Sequence, residues 1–405
     1  MIETQCCIVG GGPAGMMLGL ILARAGVAAT VIEKHGDFLR DFRGDTAQPS
    51  TLQVLEDLGL LKRFGELPVQ WLETLSVAAE NGVFPFGDYR GLKPFPYLAL
   101  VPQWDFLNLL AEEGKRYPGY RLLLRTEGRE PIEEKGRVVG VRAMGPDGPL
   151  EIRADLVVGT DGRHSTMRRA AGFEPLELGA PMDVLWFRLP RREGDPEVTG
   201  GFVGKGQLMV LLNRDHYWQV GYVIAKGGVD ALRSRGLDAF RAQLTALAPF
   251  LADRVQEIQS MDDLSLLVVQ VDRVVRWHRP GLLLIGDAAH AMSPVGGVGV
   301  NVAIQDAVAA ANILGPVLRD GRCPGEADLA KVQRRRERPV RIMQRIQLLL
   351  QRRVVARALE PGSGTMCIGP FLRLLLRLRF VRRIPARLFG LGFRHERVKL
   401  PPQAG

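Results

Sequence analysis

The sequence contains few cysteines, and their spacing argues against the common cysteine sites. Only four occur in 405 residues, with no Cys-x-x-Cys pair and no companion histidine cluster. A redox disulfide and a zinc site are therefore not indicated. Cys6 and Cys7 lie in an apolar run near the N-terminus, and we expect both to be buried strand residues, because free cysteine is among the most buried residue types.

A long hydrophobic run is also missing. No uninterrupted apolar stretch approaches the roughly 18 residues that a membrane-spanning helix needs. The first apolar run begins too close to Met1 to leave room for a signal peptide, so we expect a cytoplasmic protein. Hydrophobic residues make up 46% of the chain, which is enough for two or three domains with globular cores.

Acidic residues are scarce in one part of the chain only. From Lys331 onward the sequence has 19 Lys and Arg against 3 Asp and Glu, a net charge of +16, whereas the first 330 residues carry a net charge of −6. The basic character therefore belongs to the C-terminal segment. This segment has few aromatic residues for base stacking and no recognisable binding motif, so nucleic acid is not an expected partner.

The same segment contains a predicted amphipathic helix. Apolar residues recur at i, i+3, i+4 and i+7 from Phe371 to Leu378, while Arg373 and Arg377 lie on another face. Such a helix either packs on the body of the protein or on a second subunit, or it contacts a membrane with anionic lipids. Packing is the more common role, but the high positive charge favours peripheral membrane contact, since each base near anionic lipid contributes on the order of 1 kcal/mol.

A glycine-rich turn near the N-terminus indicates a dinucleotide-binding unit. The apolar run up to Val9 is followed by Gly10–Gly15, which fits G-x-G-x-x-G, then by an apolar helix and a second run that ends on Glu33. The glycines permit a tight turn, the approach of a pyrophosphate and the packing of helix on strand, and the carboxylate binds ribose hydroxyls. The candidate cofactor-binding residues here are Gly10, Gly12, Pro13, Ala14, Gly15 and Glu33. The motif alone does not distinguish FAD from NAD.

Two further apolar runs lead into short polar motifs. Asp155–Gly159 precedes Thr160-Asp161-Gly162, and Gly281–Ile285 precedes Gly286-Asp287-Ala288-Ala289-His290. A glycine-rich loop from Pro294 to Asn301 follows the second motif. Both motifs stand where a buried strand ends, which is where ligands bind in open α/β sheets.

Taken in this order, the three blocks make the chain similar to the single-component flavoprotein aromatic hydroxylases, the p-hydroxybenzoate hydroxylase-like family. The resemblance covers about the first three quarters of the chain. It implies that FAD is bound, that NAD(P)H is the co-substrate, and that O2 reacts through a flavin C4a-hydroperoxide to hydroxylate a small aromatic or quinone-like substrate of lipophilic character. Because the cofactor carries this chemistry, no catalytic side chain and no metal site are assigned.

The resemblance also implies roles for single residues. Asp287 binds the ribityl hydroxyls of FAD, the Pro294–Asn301 loop runs beside the isoalloxazine ring, and Asp161 with Gly162 lies behind the pyrophosphate. As alternatives, Asp161 and Asp287 stabilise turns and Arg43 is a surface charge. The candidate cofactor-binding residues that the resemblance adds are Arg43, Gln103, Asp161, Gly162, Gly286, Asp287, Pro294, Gly297, Gly299, Val300 and Asn301.

Histidine and aromatic residues give weaker indications. His290 is expected to be structural rather than a general base. Trp186, Trp218 and Tyr222 are candidates to face the substrate, but aromatic residues in a half-buried sheet more often belong to a core.

These patterns predict an α/β fold with a Rossmann-like FAD-binding domain, an inserted antiparallel-sheet substrate domain and a helical C-terminal segment. The sheet is indicated by alternating residues from about Met182 to Val223. The predicted ranges are 1–70, 98–178 and 271–325 for the discontinuous FAD-binding domain, 71–97 and 179–270 for the substrate domain, and 326–405 for the basic helical segment.

Other functions remain open for this fold. An FAD-dependent reductase or dehydrogenase would consume nicotinamide without needing O2, and a non-catalytic, membrane-associated flavoprotein would keep FAD for structure only. A flavin halogenase is disfavoured, because the closest match to its Trp-x-Trp-x-Ile-Pro signature, Trp186–Pro190, lacks the second Trp and the Ile.

Overall fold

The computed structural model describes residues 1–39, 45–79, 81–197, 199–204, 206–359 and 369–402. Its strands are β1 (Ile2–Val9), β2 (Ala29–Ile32), β3 (Thr46–Ala47), β4 (Gln70–Leu72), β5 (Thr74–Ala79), β6 (Gly82–Asp88), β7 (Leu98–Leu100), β8 (Tyr120–Leu123), β9 (Glu127–Glu134), β10 (Arg137–Gly145), β11 (Gly148–Gly159), β12 (Pro175–Glu177), β13 (Met182–Pro190), β14 (Gly200–Gly204), β15 (Gln207–Asn213), β16 (Tyr217–Ala225), β17 (Ser265–Leu267), β18 (Asp272–Val274), β19 (His278–Arg279) and β20 (Leu282–Leu284). Its α-helices are α1 (Pro13–Arg24), α2 (Pro49–Asp57), α3 (Leu61–Gly65), α4 (Gln103–Gly114), α5 (Thr166–Ala170), α6 (Val229–Ser234), α7 (Leu237–Leu247), α8 (Gly299–Arg319), α9 (Glu326–Leu350), α10 (Ala356–Ala358), α11 (Pro370–Arg377) and α12 (Arg379–Leu391). A π-helical turn, Gln351–Val355, joins α9 to α10.

An eight-stranded sheet forms the larger layer. Its strands run in the order β19-β20-β11-β1-β2-β8, with β10 and β9 extending from β11, and β1 pairs in parallel with both β11 and β2. Strands of a parallel sheet are covered on both faces, which explains why they are continuous apolar runs in the sequence. Cys6 and Cys7 are fully buried in β1, as predicted. The α/β fold class is confirmed.

A seven-stranded sheet forms the second layer, in the order β17-β13-β16-β15-β14-β5-β6. Its strands pair antiparallel except for β14 and β5. One face packs on α6 and α7, where Phe240 and Leu244 complete an apolar core. The opposite face, which we call the inner face, carries Trp186 and Leu208 and packs against Val295 of the glycine-rich loop. The residue boundaries between the two domains stay a prediction.

Helix α8 runs through the core between α1 and α9. By length and composition this 21-residue helix could cross a membrane, with a mean hydropathy of 1.3 over its most apolar 18-residue window, but 72% of that window is buried inside the protein. The sequence analysis considered only uninterrupted apolar runs. It did not single out α8, because Asn301, Gln305 and Asp306 interrupt the apolar residues of this helix. All three polar side chains are buried and bonded within the protein.

The C-terminal segment differs from the prediction in one respect. The predicted helix through Phe371–Leu378 ends at Arg377, because Leu378 takes an extended conformation with φ −78° and ψ 119°, and α12 begins directly after it. No glycine or proline marks this break in the sequence. Helix α12 docks on the body through buried Ala386 and Gly390, where a Cβ on Gly390 would lie only 3.1 Å from the ring of Tyr89.

Candidate functional site

The glycine-rich turn between β1 and α1 leaves an open cradle. Gly15 packs so tightly that a Cβ there would lie 2.0 Å from the Gly10 carbonyl oxygen. A Cβ on Gly12, in contrast, would have no atom within 4 Å. No side chain caps the first turn of α1, so its N–H groups point into the space beside Gly12. This arrangement fits the pyrophosphate of a dinucleotide.

Glu33 lies at the end of β2, next to this turn. Its carboxylate accepts hydrogen bonds from the backbone N–H of Gly11 at 2.9 Å and from that of His35 at 3.1 Å. These bonds fix the carboxylate beside the cradle, at the position where the motif places a ribose.

Asp161 is engaged by the protein itself. Its carboxylate accepts a hydrogen bond from the Ser165 hydroxyl at 2.5 Å and from the N–H groups of Thr166 and Met167 at 2.7 and 3.0 Å. Burial raises the pKa of Asp161, and these hydrogen bonds oppose the shift. Asp161 therefore stabilises the turn, which was one of the two roles expected from the sequence. Gly162 follows it with a positive φ of 80°. Contact of either residue with a cofactor stays a prediction.

Asp287 lies on a short 3₁₀ turn, Gly286–Ala288, directly after β20. Its side chain is 31% exposed, and Arg163 Nη2 lies 3.8 Å from the carboxylate. Burial raises the pKa of Asp287, and the charge of Arg163 opposes the shift. Because the carboxylate is partly exposed at a strand end, it is available to accept hydrogen bonds from sugar hydroxyls.

Beneath this turn lies a buried charged cluster, which we call the Asp306 cluster. Asp306 contacts His290 Nε2 at 2.6 Å and accepts a hydrogen bond from Arg336 Nε at 2.9 Å, and it also accepts the N–H of Gly286 at 3.2 Å. Burial alone would raise the pKa of Asp306, but the interactions with His290 and Arg336 outweigh it and hold this pKa below its ordinary value. Arg336 also donates to the carbonyl of Arg394 at 2.8 Å. The cluster thus ties the C-terminal chain to the turn that carries Asp287.

Asn301 clamps the glycine-rich loop. Its side-chain oxygen accepts from Gln48 N at 2.8 Å and from the Thr51 hydroxyl at 2.6 Å, and its nitrogen donates to the carbonyls of Thr46 and Gly297 at 3.0 and 3.1 Å. Asn301 therefore holds β3 and α2 against the loop. Pro294, Gly297, Gly299 and Val300 all lie on this loop or on the first turn of α8.

Two glutamines of α9 and one of the π-helical turn that follows it fix the chain that leads into the loop. The side-chain nitrogen of Gln344 donates to the carbonyl of Ala291 at 3.0 Å, that of Gln347 to Val295 at 2.8 Å, and that of Gln351 to the hydroxyl of Ser293 at 2.7 Å. Sequence analysis missed these residues. Their i, i+3, i+7 spacing in an arginine-rich segment places them on one helix face, and this pattern could have indicated that the face is buried.

The inner face of the second sheet carries a row of apolar side chains. Leu208, Val210 and Leu212 alternate with core residues along β15 and are only half-buried. The indole of Trp186 lies across Gly221, where a Cβ would be 2.9 Å from the ring.

The three aromatic candidates do not share this face. Trp218 and Tyr222 belong to the core on the opposite side of the sheet. Trp218 donates to Asp195, and the Tyr222 hydroxyl bonds Gln243. Of the three, only Trp186 is placed on the inner face.

A buried ion pair joins the two layers. Arg214, in the turn between β15 and β16, contacts Asp45 at 2.6 Å and donates from Nε to Gln219 at 2.9 Å. Asp45 Oδ1 and Arg214 Nη1 have no partner within the described chain. Burial raises the pKa of Asp45, and the charge of Arg214 opposes the shift. Gln103, which begins α4, brings its backbone to the same carboxylate, whereas Arg43 lies outside the described residues.

Comparisons with known proteins agree with this geometry. Residues 3–345 match the family described as FAD binding domain. The chain is 36% identical to 6-methylpretetramide 4-monooxygenase of Streptomyces rimosus over 389 residues, covering 95% of this chain and 90% of that protein. It is 24% identical to para-nitrophenol 4-monooxygenase of Pseudomonas sp. (strain WBC-3) over 347 residues, covering 81% and 82%. The chain belongs to the FAD-dependent aromatic monooxygenases.

Solved structures show the same fold for this FAD-dependent monooxygenase. The myxobacterial chondrochloren halogenase CndH superposes with a TM-score of 0.77 at 18% identity, covering 99% of this chain and 100% of that one. The anhydrotetracycline hydroxylase OxyS of Streptomyces rimosus gives 0.74 at 22% identity, covering 98% and 77%. At such identities the likeness concerns the fold alone. The match to a halogenase therefore does not favour halogenation, because the Trp-x-Trp-x-Ile-Pro signature is incomplete in this sequence.

For this monooxygenase, the predicted family, FAD cofactor and reaction class are confirmed. The comparisons do not support the reductase or the non-catalytic alternative. The names of the relatives also give no support to membrane contact. The roles of individual cofactor-binding residues stay predictions.

Proposed function

We propose that this monooxygenase uses NADH or NADPH together with O2 to hydroxylate a flat, multi-ring aromatic substrate that lies on the inner face of the second sheet. The observation that carries the proposal is the row of half-buried apolar side chains on the inner face, Leu208, Val210, Leu212 and Trp186, of which Leu208 and Trp186 pack in the same cluster as Val295 of the glycine-rich loop. The relative at 36% identity is named 6-methylpretetramide 4-monooxygenase, which supports a substrate of that kind for this protein.

The residues of the larger sheet fit FAD. When FAD binds, the space beside Gly12 would hold the pyrophosphate, Glu33 would accept hydrogen bonds from the adenosine ribose hydroxyls, and Asp287 would accept those of the ribityl hydroxyls. When bound, FAD supplies the chemistry of reduction and oxygen activation. The N-terminus of α8, at the end of the Pro294–Asn301 loop, carries the positive end of the helix dipole and would stabilise negative charge on a reduced cofactor bound there.

Polar groups at the rim of the inner face orient the substrate in this proposal. The Trp186 indole N–H, Asp45 Oδ1 and Arg214 Nη1 are buried, and none has a partner within the described chain. Buried polar groups normally have partners. Substrate hydroxyl groups are suitable ones, because they can donate to Asp45 and accept from Trp186 and Arg214. The apolar surroundings exclude water from the reacting ring.

Turnover with labelled oxygen tests the reaction. The purified flavoprotein should oxidise NADH or NADPH faster in the presence of a multi-ring phenol, and mass spectrometry with ¹⁸O₂ should show one labelled atom in the product. Equal product formation without oxygen would contradict the proposal, and flavin that neither nucleotide reduces under anaerobic conditions would contradict the nicotinamide part alone.

Filling the inner face tests the substrate position. Val210→Trp should lower kcat/KM for hydroxylation at least about tenfold, because the added ring occupies the space of the substrate, while flavin occupancy stays the same. The matched control is Val83→Trp on β6 of the same sheet, where the side chain is 54% exposed. Similar losses in both variants would show that the site lies elsewhere.

A further inference from the structure

The last two helices expose an unusual set of apolar side chains. Phe371 is 74% exposed, Phe380 64% and Ile384 59%. Leu374 and Leu378 are 59% and 43% exposed. We call these five residues, with the arginines of α11 and α12, the α11–α12 surface. Every exposed phenylalanine among the described residues lies within 371–393.

The charges of this surface have one sign. The sequence contains no Asp or Glu from residue 361 to residue 395. Its arginines are Arg373, Arg377, Arg379, Arg382, Arg383 and Arg387. In the described part of the chain, no carboxylate forms an ion pair with Arg377, Arg379 or Arg387, and all three side chains are exposed.

The exposed face is not needed to attach α12 to the protein. The opposite face of the helix already does so, through buried Ala386 and Gly390 and through Phe389, whose ring lies 2.7 Å from the position of a Cβ on Gly296. Phe380 and Ile384, one helical turn apart, point away from these contacts. Apolar side chains left in water beside a docked helix indicate an interaction surface.

We propose that the α11–α12 surface docks on a membrane containing anionic phospholipids. The arginines complement the lipid headgroups, and the phenylalanine and isoleucine side chains enter the boundary between headgroups and acyl chains. A second copy of this chain fits poorly, because it would bring arginines against arginines with no carboxylate between them. The proposal does not depend on the substrate or on the nicotinamide chemistry.

Docking would place the flavin side of the protein close to lipid. Helix α12 separates the membrane from Gly296 of the glycine-rich loop, and a helix with its side chains is about 10–12 Å across. A lipophilic substrate would then travel a short distance between the bilayer and the inner face.

Vesicle sedimentation of the full-length flavoprotein tests the proposal. We expect it to sediment at low salt with phosphatidylcholine vesicles that contain phosphatidylglycerol, and not with pure phosphatidylcholine. Phe380→Ser/Ile384→Ser and, separately, Arg379→Gln/Arg387→Gln should each lower the partition coefficient by on the order of tenfold.

Matched controls carry the same changes elsewhere. Val275→Ser/Leu176→Ser removes two apolar side chains that are 73% and 46% exposed, and Arg121→Gln/Arg169→Gln removes two exposed arginines. Both should sediment like the unaltered protein, and all variants should keep their visible flavin spectrum. No sedimentation of the unaltered protein, or equal losses in test and control variants, would overturn the proposal. So would a dimer in sedimentation equilibrium that the Phe380→Ser/Ile384→Ser variant abolishes, because the surface would then be a subunit interface.

Discussion

Asp306→Asn is expected to lower the free energy of unfolding by up to about 3–5 kcal/mol, because the buried guanidinium of Arg336 loses its closest carboxylate and keeps only Glu396, whose Oε1 lies 3.6 Å from Nη1. The side chains of Asp306 and Arg336 are 0% and 3% exposed, so water cannot replace the lost partner. Urea unfolding at neutral pH measures the effect. The control is Asp320→Asn, which removes an ion pair with Arg322. The side chains of Asp320 and Arg322 are 55% and 65% exposed. Such exposed pairs contribute about 0–1 kcal/mol.

The Asp306 effect should depend on pH in a defined direction. The pKa of Asp306 is held below its ordinary value, and that of an unfolded aspartate is about 3.9. The stabilisation is therefore fully present above this unfolded value and is lost as the pH falls through the lower folded value. The difference between the unaltered protein and Asp306→Asn should therefore shrink as the pH falls below about 4. A difference no larger than that of Asp320→Asn at neutral pH would contradict the importance of the cluster.

Gly12→Ala is expected to weaken FAD binding by about tenfold to hundredfold, with little change in stability. A methyl group at Gly12 meets no protein atom within 4 Å, and the backbone there is extended, with φ −75° and ψ −178°. The methyl group would instead occupy the cradle and displace the pyrophosphate from the N–H groups of α1. Loss of one hydrogen bond to a charged group costs about 1.5–3 kcal/mol. Fluorescence titration of the apoprotein with FAD, beside thermal unfolding without FAD, separates the two effects.

Two other glycines complete this experiment. Gly325 precedes α9 with φ −79° and ψ 167°, nearly the backbone of Gly12. Gly325→Ala therefore has the same effect on stability as any alanine placed directly before a helix, but it lies outside the cradle. The affinity for FAD should not change in this variant. Gly15→Ala, whose Cβ would collide with the Gly10 carbonyl, should lower both stability and affinity. If Gly12→Ala binds FAD like the unaltered protein, the pyrophosphate does not lie in this cradle.

The parts of this protein that sequence could predict are local. The turn from Gly10 to Gly15, the strand ending at Glu33 and the break after β20 at Gly286 each depend on a few neighbouring residues, whose glycines and apolar periodicity are visible in one sequence. The resemblance of three such blocks was then enough for the family and its cofactor.

Pairs between distant segments could not be predicted in this way. Asp306 with Arg336, and Asp45 with Arg214, are brought together only by tertiary packing, and an arginine in a basic helix looks the same whether it is buried or exposed. The end of α11 at Arg377 was missed for another reason. The periodicity of the apolar residues continues through Leu378, and neither glycine nor proline marks the extended residue.

The Asp306 cluster also has a consequence for biosynthesis. The turn that carries Asp287 rests on Asp306 and Arg336, and Arg336 in turn donates to the carbonyl of Arg394. Residues around 394 leave the ribosome long after the glycine-rich turn near the N-terminus. The nascent chain can therefore form its first βαβ unit early, whereas the ribityl side of the flavin site is completed only after residues around 394 have emerged. Flavin capture should wait for that later segment.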